Sequence, residues 1–190
     1  GTLSDEGAVA MYHLYPDLDN KPVDEPLTMS DVKHVMRTLS DQYLTIGLPK
    51  GTSDTLTNFF LQQSSDPNIL MRTVSNLMGD LYCACPLVQL GEQFSDHKGK
   101  IVYSYLFSHR TSSRKLPTWF NMTYPEDVAF LFGYPLWNQD RFTKDDQEMS
   151  TTMLTIWTTF AKTGQMPLIY GQKWPKYTRK EPIYVELNNA

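Results

Sequence analysis

The sequence lacks a long hydrophobic run and has little excess of positive charge. No stretch approaches the roughly 18 apolar residues that a membrane-spanning helix requires, and no signal peptide is visible. The 17 basic residues are outnumbered by 21 acidic ones, and the densest basic group, residues 173–180, is interrupted by Trp174 and Tyr177. This charge pattern argues against a nucleic-acid-binding protein.

The chain begins with Gly1-Thr2 instead of methionine, which predicts a processed chain or a fragment whose anchor or export signal lies elsewhere. Its 190 residues, of which 41% are hydrophobic and 20% charged, suffice for one globular domain with a sizeable core. No internal repeat, low-complexity segment or linker divides the sequence. We therefore expect a single domain or part of one.

Cysteine is scarce, and the acidic residues lack the pattern of a metal site. Cys83 and Cys85 are one residue apart; on a helix they would point about 200° apart, so they are not expected to pair with each other. This is not a zinc spacing either. The acidic residues between Pro16 and Pro26 do not form a D-x-D-x-D-G calcium loop. We expect no metal and no cofactor.

Hydrophobic periodicity predicts a mixture of helices and strands. A long helix over residues 143–163 should begin at a Thr143 cap and end at Gly164. Another helical pattern, 68–94, should be kinked or divided at Pro86. Further helices are predicted to begin near Ser30-Asp31, near Ser53 and at residue 126, with strands at 101–107 and 182–187. The predicted core side chains are Val32, Val35, Met36, Leu39, Leu56, Phe59, Phe60, Met149, Met153, Ile156, Trp157 and Phe160.

Residues 119–136, W-F-N-M-T-Y-P-E-D-V-A-F-L-F-G-Y-P-L, form the most informative segment. Its end resembles the F-x-F-G-x-P-L run of the cholinesterase-like branch of the type-B carboxylesterases. In that family a catalytic histidine followed by glycine lies between this run and an upstream tryptophan. Ungapped alignment places Tyr124 at the histidine position and Pro125 at the glycine position. A phenol with a pKa of about 10 cannot replace an imidazole with a pKa of about 6.5 as a base near neutral pH.

Six other segments resemble the same family in the same order. They are S-D-E-G at 4–7, C-P-L at 85–87, Y-S-Y-L-F-S-H-R-T-S at 103–112, W-T-T-F-A-K-T-G at 157–164, W-P-K-Y-T at 174–178 and Y-V-E-L at 184–187. The resemblance implies an α/β-hydrolase fold, a mostly parallel sheet wrapped by helices. It also implies that residues 1–190 are the C-terminal third of one cholinesterase-like domain. The G-x-S-x-G nucleophile elbow would belong to an N-terminal part that is not in this chain.

The resemblance assigns roles to individual residues. Glu6 matches the acid that orients the catalytic histidine, so Glu6 and Tyr124 are relic positions of a catalytic triad. None of the four histidines (His13, His34, His97 and His109) matches the position of the base. Cys85 matches a cysteine whose disulfide partner would lie outside this chain. Asn121-Met122-Thr123 is an N-glycosylation sequon.

These assignments predict a catalytically inactive extracellular domain that mediates cell adhesion by binding proteins at neural or epithelial junctions. The adhesion branch of the family, which includes the neuroligins, gliotactin, glutactin and neurotactin, is of this kind. The expected partners are a cell-surface or secreted adhesion protein, the rest of the same hydrolase domain, and a second copy in a homodimer. The expected location is the ectodomain of a single-pass membrane protein. The alternatives are part of an active serine carboxylesterase and, thirdly, a storage or carrier protein.

Overall fold

The computed structural model describes residues 1–22, 25–44, 47–111, 117, 119–120 and 125–188, apart from the side chains at 13, 19, 20 and 43. Between the helices lie π-helical turns at Ser40–Leu44 and Asp80–Ala84 and a 3-10 turn at Gln139–Arg141. In chain order the regular elements are β1 (Thr2–Leu3), α1 (Ala8–Leu14), α2 (Asp17–Asn20), α3 (Met29–Leu39), α4 (Thr52–Leu61), α5 (Pro67–Gly79), α6 (Cys85–Ser95), β2 (Tyr105–Phe107), α7 (Glu126–Leu131), α8 (Tyr134–Trp137), α9 (Lys144–Thr163) and β3 (Val185–Leu187).

The chain forms two compact units. The sheet unit comprises the described residues within 1–4, 83–115 and 122–190, and the helical unit comprises those within 5–82 and 116–121. Whether both belong to a single larger domain, as the sequence predicts, stays a prediction.

A parallel sheet with the strand order β1-β2-β3 forms the sheet unit. Helix α9 lies between β2 and β3 in the chain, as a crossover between parallel strands requires. Its buried residues Met149, Met153 and Ile156 join Phe107 and Phe130 in the core of this unit. The structure therefore confirms an α/β fold.

Helix α9 begins and ends where the sequence predicts. Thr143 and Asp146 form a capping box, in which each side chain accepts a hydrogen bond from the other residue's backbone N–H. Gly164 ends the helix with a φ of 68°, in the left-handed region that glycine adopts without a Cβ clash. Trp157 and Phe160, however, are 41% and 37% exposed, so the predicted core stripe is buried only at its N-terminal end.

In the helical unit, α1, α3, α4 and α5 surround a separate apolar core. Their buried residues include Met11, Val35, Phe60 and Val74. Trp119 packs into the same core. The predicted helices near Ser30 and Ser53 are thus confirmed.

Several sequence predictions need correction. Phe59 was placed in the core beside Phe60, but Phe59 is 63% exposed because successive helical residues point about 100° apart. The strand predicted over 101–107 pairs in the ladder only at Tyr105–Phe107, and its partners β1 and β3 have two and three residues. The predicted division of the 68–94 pattern is confirmed, but it lies at the π-helical turn Asp80–Ala84, and Pro86 is the second residue of α6.

Cys83 and Cys85 do not pair with each other, as predicted. Cys83 lies in the π-helical turn and Cys85 is exposed at the first position of α6. The disulfide from Cys85 to a partner outside the chain stays a prediction. Within the described residues, none of the helices has the length and apolar character needed to cross a membrane.

Helix α3 begins with a buried carboxylate that makes its stability depend on pH. Burial alone would raise the pKa of Asp31, but hydrogen bonds from the Thr28 backbone, Lys21 and the Thr28 hydroxyl outweigh it and lower the pKa below 3.8. The Lys21 Nζ–Asp31 Oδ2 distance is 3.0 Å.

We expect Asp31→Asn to destabilise the protein by about 1 kcal/mol at pH 7, because an amide oxygen accepts the hydrogen bonds from Lys21 and Thr28 more weakly than a carboxylate does. A carboxylate with a lowered folded pKa stabilises fully above its unfolded pKa, and this stabilisation is lost as the pH falls through the folded value. Thermal denaturation at pH 7 and pH 2.5 should show the difference from wild type shrinking in acid. Asp41→Asn, at an exposed site, is the control; an effect that is equal at both pH values would contradict the assignment.

Candidate functional site

Glu6 lies in the turn between β1 and α1, and this turn is fixed onto α5. The neighbouring Asp5 is buried, and its carboxylate accepts a hydrogen bond from the Ser75 hydroxyl. A Cβ on Gly7 would lie 1.8 Å from the Ser75 carbonyl oxygen, so only glycine allows this approach. Glu6 itself is half-buried. The S-D-E-G motif thus gives a rigid position to the acid that the sequence assigns to the triad.

Tyr124, at the histidine position, lies outside the described residues, as does the sequon residue Asn121. Their assignments as a relic triad position and a glycosylation site therefore stay predictions. Pro125, next to Tyr124, is described as the residue before α7, with a φ of −104°.

The F-x-F-G-x-P-L run is held by packing on both sides of a tight turn. Phe130 and Pro135 are buried, and the Ser150 hydroxyl donates to the Phe130 carbonyl at 2.7 Å. Gly133 joins α7 to α8 with a φ of 76°, which favours glycine. Phe132 is 74% exposed. Phe130 and Pro135, the buried residues of this run, therefore stabilise the fold.

Asp127, three residues after Tyr124, has a carboxyl pKa above its ordinary value, which the sequence did not predict. Burial raises the pKa of its carboxyl, although the backbone N–H groups of Val128 and of Asp127 itself lower it in part. Carboxyls with raised pKa values occur at proton-transfer sites as well as at structural ones. The sequence signal was the position of Asp127 in the first turn of a short predicted helix, three residues after Tyr124.

His109 forms an acid–histidine pair with Asp146, which the sequence did not predict. Its Nε2 lies 2.8 Å from Asp146 Oδ1, and the two side chains are 6% and 1% exposed. The His109 ring also packs against Phe107 and Phe130. The pair joins the chain after β2 to the first turn of α9.

The burial of His109 argues against a role as a catalytic base. A base must reach the proton of a nucleophile and be accessible to substrate, whereas the Nε2 of His109 is already bonded and its ring is enclosed. The other histidines offer no replacement for Tyr124 by motif. His34 and His97 are exposed, on α3 and directly after α6, and the side chain of His13 lies outside the description.

The W-P-K-Y-T motif supports the sheet. The Trp174 indole donates from Nε1 to the Ser104 carbonyl at 3.2 Å, and the Tyr177 backbone N–H donates to the Val102 carbonyl at 2.8 Å. Tyr105 contacts Trp174 and Trp157 edge to face, at centroid distances of 6.3 and 6.4 Å. Three of the motifs quoted from the sequence therefore meet around β2.

Comparisons with known proteins identify acetylcholinesterases as relatives of this chain. The acetylcholinesterase of Bungarus fasciatus is 35% identical over 117 residues, which cover 60% of this chain and 19% of that protein. The acetylcholinesterase of Gallus gallus is 33% identical over 116 residues, covering 60% of this chain and 15% of its own length. Acetylcholinesterase-1 of Trittame loki is 24% identical over 190 residues, covering 98% of this chain and 33% of that protein.

The aligned part of this chain therefore spans a third or less of the length of these relatives. The model of the Carboxylesterase family matches residues 1–190. With the parallel sheet, the family motifs around it and this match in place, the chain belongs to the carboxylesterase family, in its cholinesterase-like branch.

Proposed function

We propose that this chain is the C-terminal part of a catalytically inactive cholinesterase-like domain that mediates cell adhesion by binding another protein. The observation that carries the proposal is Tyr124-Pro125 in place of the family's histidine and glycine. Acyl transfer by a serine needs a neighbouring base that is largely unprotonated and ready to take a proton at neutral pH. A tyrosine with its pKa near 10 does not meet that requirement.

The packing of the described residues supports the loss of the catalytic base without the loss of the fold. The turn around Glu6 is tightly packed, and the inward residues of the F-x-F-G-x-P-L run are buried. His109, the buried histidine among those described, is bonded to Asp146. These features favour a domain that retained its fold while its base was replaced.

An extracellular location is part of the same proposal. The sequon at Asn121 would carry a glycan, and Cys85, exposed at the start of α6, is available for a disulfide to a cysteine outside this chain. The domain would form the ectodomain of a single-pass membrane protein. Its partner would be a cell-surface or secreted adhesion protein, with a homodimer as a further assembly.

The second candidate function is an active serine esterase. It is favoured by the three relatives reported above, which are named acetylcholinesterases, and by the raised pKa of Asp127 close to Tyr124. In that case another group would act as the base.

A fluorophosphonate probe on the longer protein that contains this chain separates the two functions. Loss of a triad residue costs about 10⁴- to 10⁶-fold in turnover, so we expect labelling at least about 10⁴-fold slower than that of an acetylcholinesterase. Cells expressing the protein should aggregate. Stoichiometric labelling at neutral pH would contradict the inactive domain, and absence of aggregation with every candidate partner would contradict adhesion.

Two variants sharpen this test. Tyr124→Phe should leave labelling unchanged if Tyr124 is not a base. Tyr124→His combined with Pro125→Gly rebuilds the family sequence at the site and should increase labelling if the serine elbow is intact. If instead the protein is an active enzyme with Asp127 as its base, Asp127→Asn in the otherwise unchanged protein would abolish labelling by the probe.

A further inference from the structure

The tryptophan that ends helix α8 remains almost fully in water. Trp137 is 81% exposed, the largest exposed fraction among the large apolar side chains that the structure describes. A single exposed apolar side chain is common on protein surfaces, so the groups around this ring decide whether it has a role.

Polar side chains surround the Trp137 ring in an open depression. Residues 136–141 line this depression, whose volume is about 540 Å³. Sites for small molecules have volumes of about 300–1,000 Å³ and combine apolar or aromatic contacts with a few polar groups. Beside the indole, the lining side chains comprise two amides, a carboxylate and a guanidinium, those of Asn138, Gln139, Asp140 and Arg141.

The backbone that carries these side chains is fixed. The rings of Tyr134 and Phe142 meet edge to face at a centroid distance of 5.6 Å and join the two ends of the segment. The Gly133 carbonyl accepts the Leu136 N–H at 2.9 Å. The indole of Trp137 lies close to Gly133, since a Cβ on that glycine would be 3.4 Å from the indole Nε1. The aromatic platform is therefore preformed, which reduces the entropy that a ligand loses on binding.

Backbone carbonyls orient both amides. Asn138 donates from Nδ2 to the Tyr134 carbonyl at 3.2 Å, and Gln139 donates from Nε2 to the Leu136 carbonyl at 3.1 Å. Each amide therefore has its oxygen available as a hydrogen-bond acceptor. Among the residues that the structure describes, neither the Asp140 nor the Arg141 side chain has a hydrogen-bond or ion-pair partner. A ligand thus meets three side-chain acceptors and one strong donor beside an aromatic ring.

This set of groups matches a neutral sugar. The hydroxyls of a hexose both donate and accept hydrogen bonds, and one side of its ring presents C–H groups. The face of an indole carries a negative potential, which attracts polarised C–H groups in addition to the hydrophobic contact. One carboxylate and one guanidinium cancel in charge, so the depression favours neither an anion nor a cation. A wholly apolar ligand would remove these polar groups from water without replacing their hydrogen bonds.

We propose that residues 136–141 form a binding site for a neutral glycan. Trp137 stacks on one sugar ring, the amide oxygens and Asp140 accept hydrogen bonds from its hydroxyls, and Arg141 donates to its oxygens. The ligand class is a β-linked glucose, galactose or N-acetylated derivative, because in these sugars several C–H bonds point to the same side of the ring. The site uses neither Glu6 nor Tyr124, so it is independent of the proposed loss of catalysis.

An array of immobilised neutral oligosaccharides that end in these sugars tests the site on the longer protein that contains this chain. We expect binding to at least one of them, and Trp137→Ala should weaken it at least about tenfold, as for a central aromatic contact. Trp137→Phe, which keeps an aromatic face, should retain more of the affinity than the alanine variant. The matched control is Phe132→Ala, since Phe132 is 74% exposed and does not line the depression; its affinity should stay within about twofold of wild type.

Thermal denaturation separates lost binding from lost folding. Because Trp137 is exposed, its alanine variant should keep its Tm within about 3 °C of wild type. No binding to any neutral glycan, or equal binding by Trp137→Ala and Phe132→Ala, would overturn the proposal. Binding confined to sulfated or sialylated glycans would also overturn it, because Arg141 would then act in an anion site.

The carrier of the glycan is identified on target cells. Peptide-N-glycosidase removes glycans from proteins, and an inhibitor of glycosphingolipid synthesis removes those on lipids. The part of cell binding that Trp137→Ala abolishes should fall in one of the two treatments, and its persistence in both would contradict the site. Labelling by the serine probe leaves this test intact, since the two experiments concern different residues.

Discussion

Replacing Asp146 with alanine should lower the free energy of unfolding of the sheet unit by about 2–4 kcal/mol, the cost of leaving several buried donors without the hydrogen bonds of this carboxylate. Asp146 Oδ1 lies 2.8 Å from the ring of His109, and Oδ2 accepts the Thr143 N–H at 3.0 Å and the Thr143 hydroxyl at 2.9 Å. Alanine would remove the carboxylate half of the capping box and leave the His109 ring buried without this partner, and both effects act in the same direction.

Thermal denaturation of Asp146→Ala and Glu148→Gln gives a direct comparison. Glu148 is exposed on the same helix, so its neutralisation should change the unfolding free energy by less than about 0.5 kcal/mol. His109→Ala should be as harmful as Asp146→Ala, and the double variant should be less harmful than the sum of the two. Additive effects would show that the pair is not coupled.

Gly7→Ala should destabilise the helical unit by about 3 kcal/mol or more, because overpacking against atoms that cannot move is costly. The added Cβ would lie 1.8 Å from the Ser75 carbonyl oxygen and 2.6 Å from the Gly79 nitrogen. Both are backbone atoms of α5, so relief requires separating the Glu6 turn from that helix. The φ of Gly7 is −76°, so the penalty comes from space and not from backbone conformation.

Gly91→Ala is the matched control for this prediction. Its Cβ would make only ordinary contacts, the nearest at 3.5 Å, and replacing a helical glycine with alanine favours the helix by up to about 1 kcal/mol. Hydrogen–deuterium exchange of the α5 amides should accelerate in Gly7→Ala alone. If the two alanine variants have the same stability, the close approach of the Glu6 turn to α5 is wrong.

Sequence reasoning was most reliable where local chemistry decides the structure. The limits of α9 follow from Thr143 and Gly164, whose capping roles depend on adjacent residues. The exposure of Val88, Leu90 and Phe94 on α6 could not be predicted in this way, because a helical pattern shows that an apolar face exists and not what covers it. The short ladder of β2 depends equally on the lengths of its neighbours.

In the candidate site, too, the features that depend on adjacent residues were predicted and those that depend on tertiary packing were not. The S-D-E-G motif was recognised from the sequence as a family element, and the structure shows that its Asp5 and Gly7 pack closely on α5. The bond between His109 and Asp146 was missed, since the two residues are 37 positions apart and meet only through tertiary packing. The sequence shows the Thr143–Asp146 capping-box spacing, but only the structure shows that Asp146 is buried and that its carboxylate also meets His109.

The run F-x-F-G-x-P-L has a consequence for surveys of genomes. Its Phe130, Gly133 and Pro135 are placed by burial and by a left-handed turn, requirements that persist whether or not a reaction takes place nearby. A sequence search with this pattern therefore finds proteins that share the fold, whether or not they are enzymes. A survey of working esterases must also inspect the residue six positions before the first phenylalanine of the run, where the family resemblance predicts the catalytic histidine and this sequence has Tyr124.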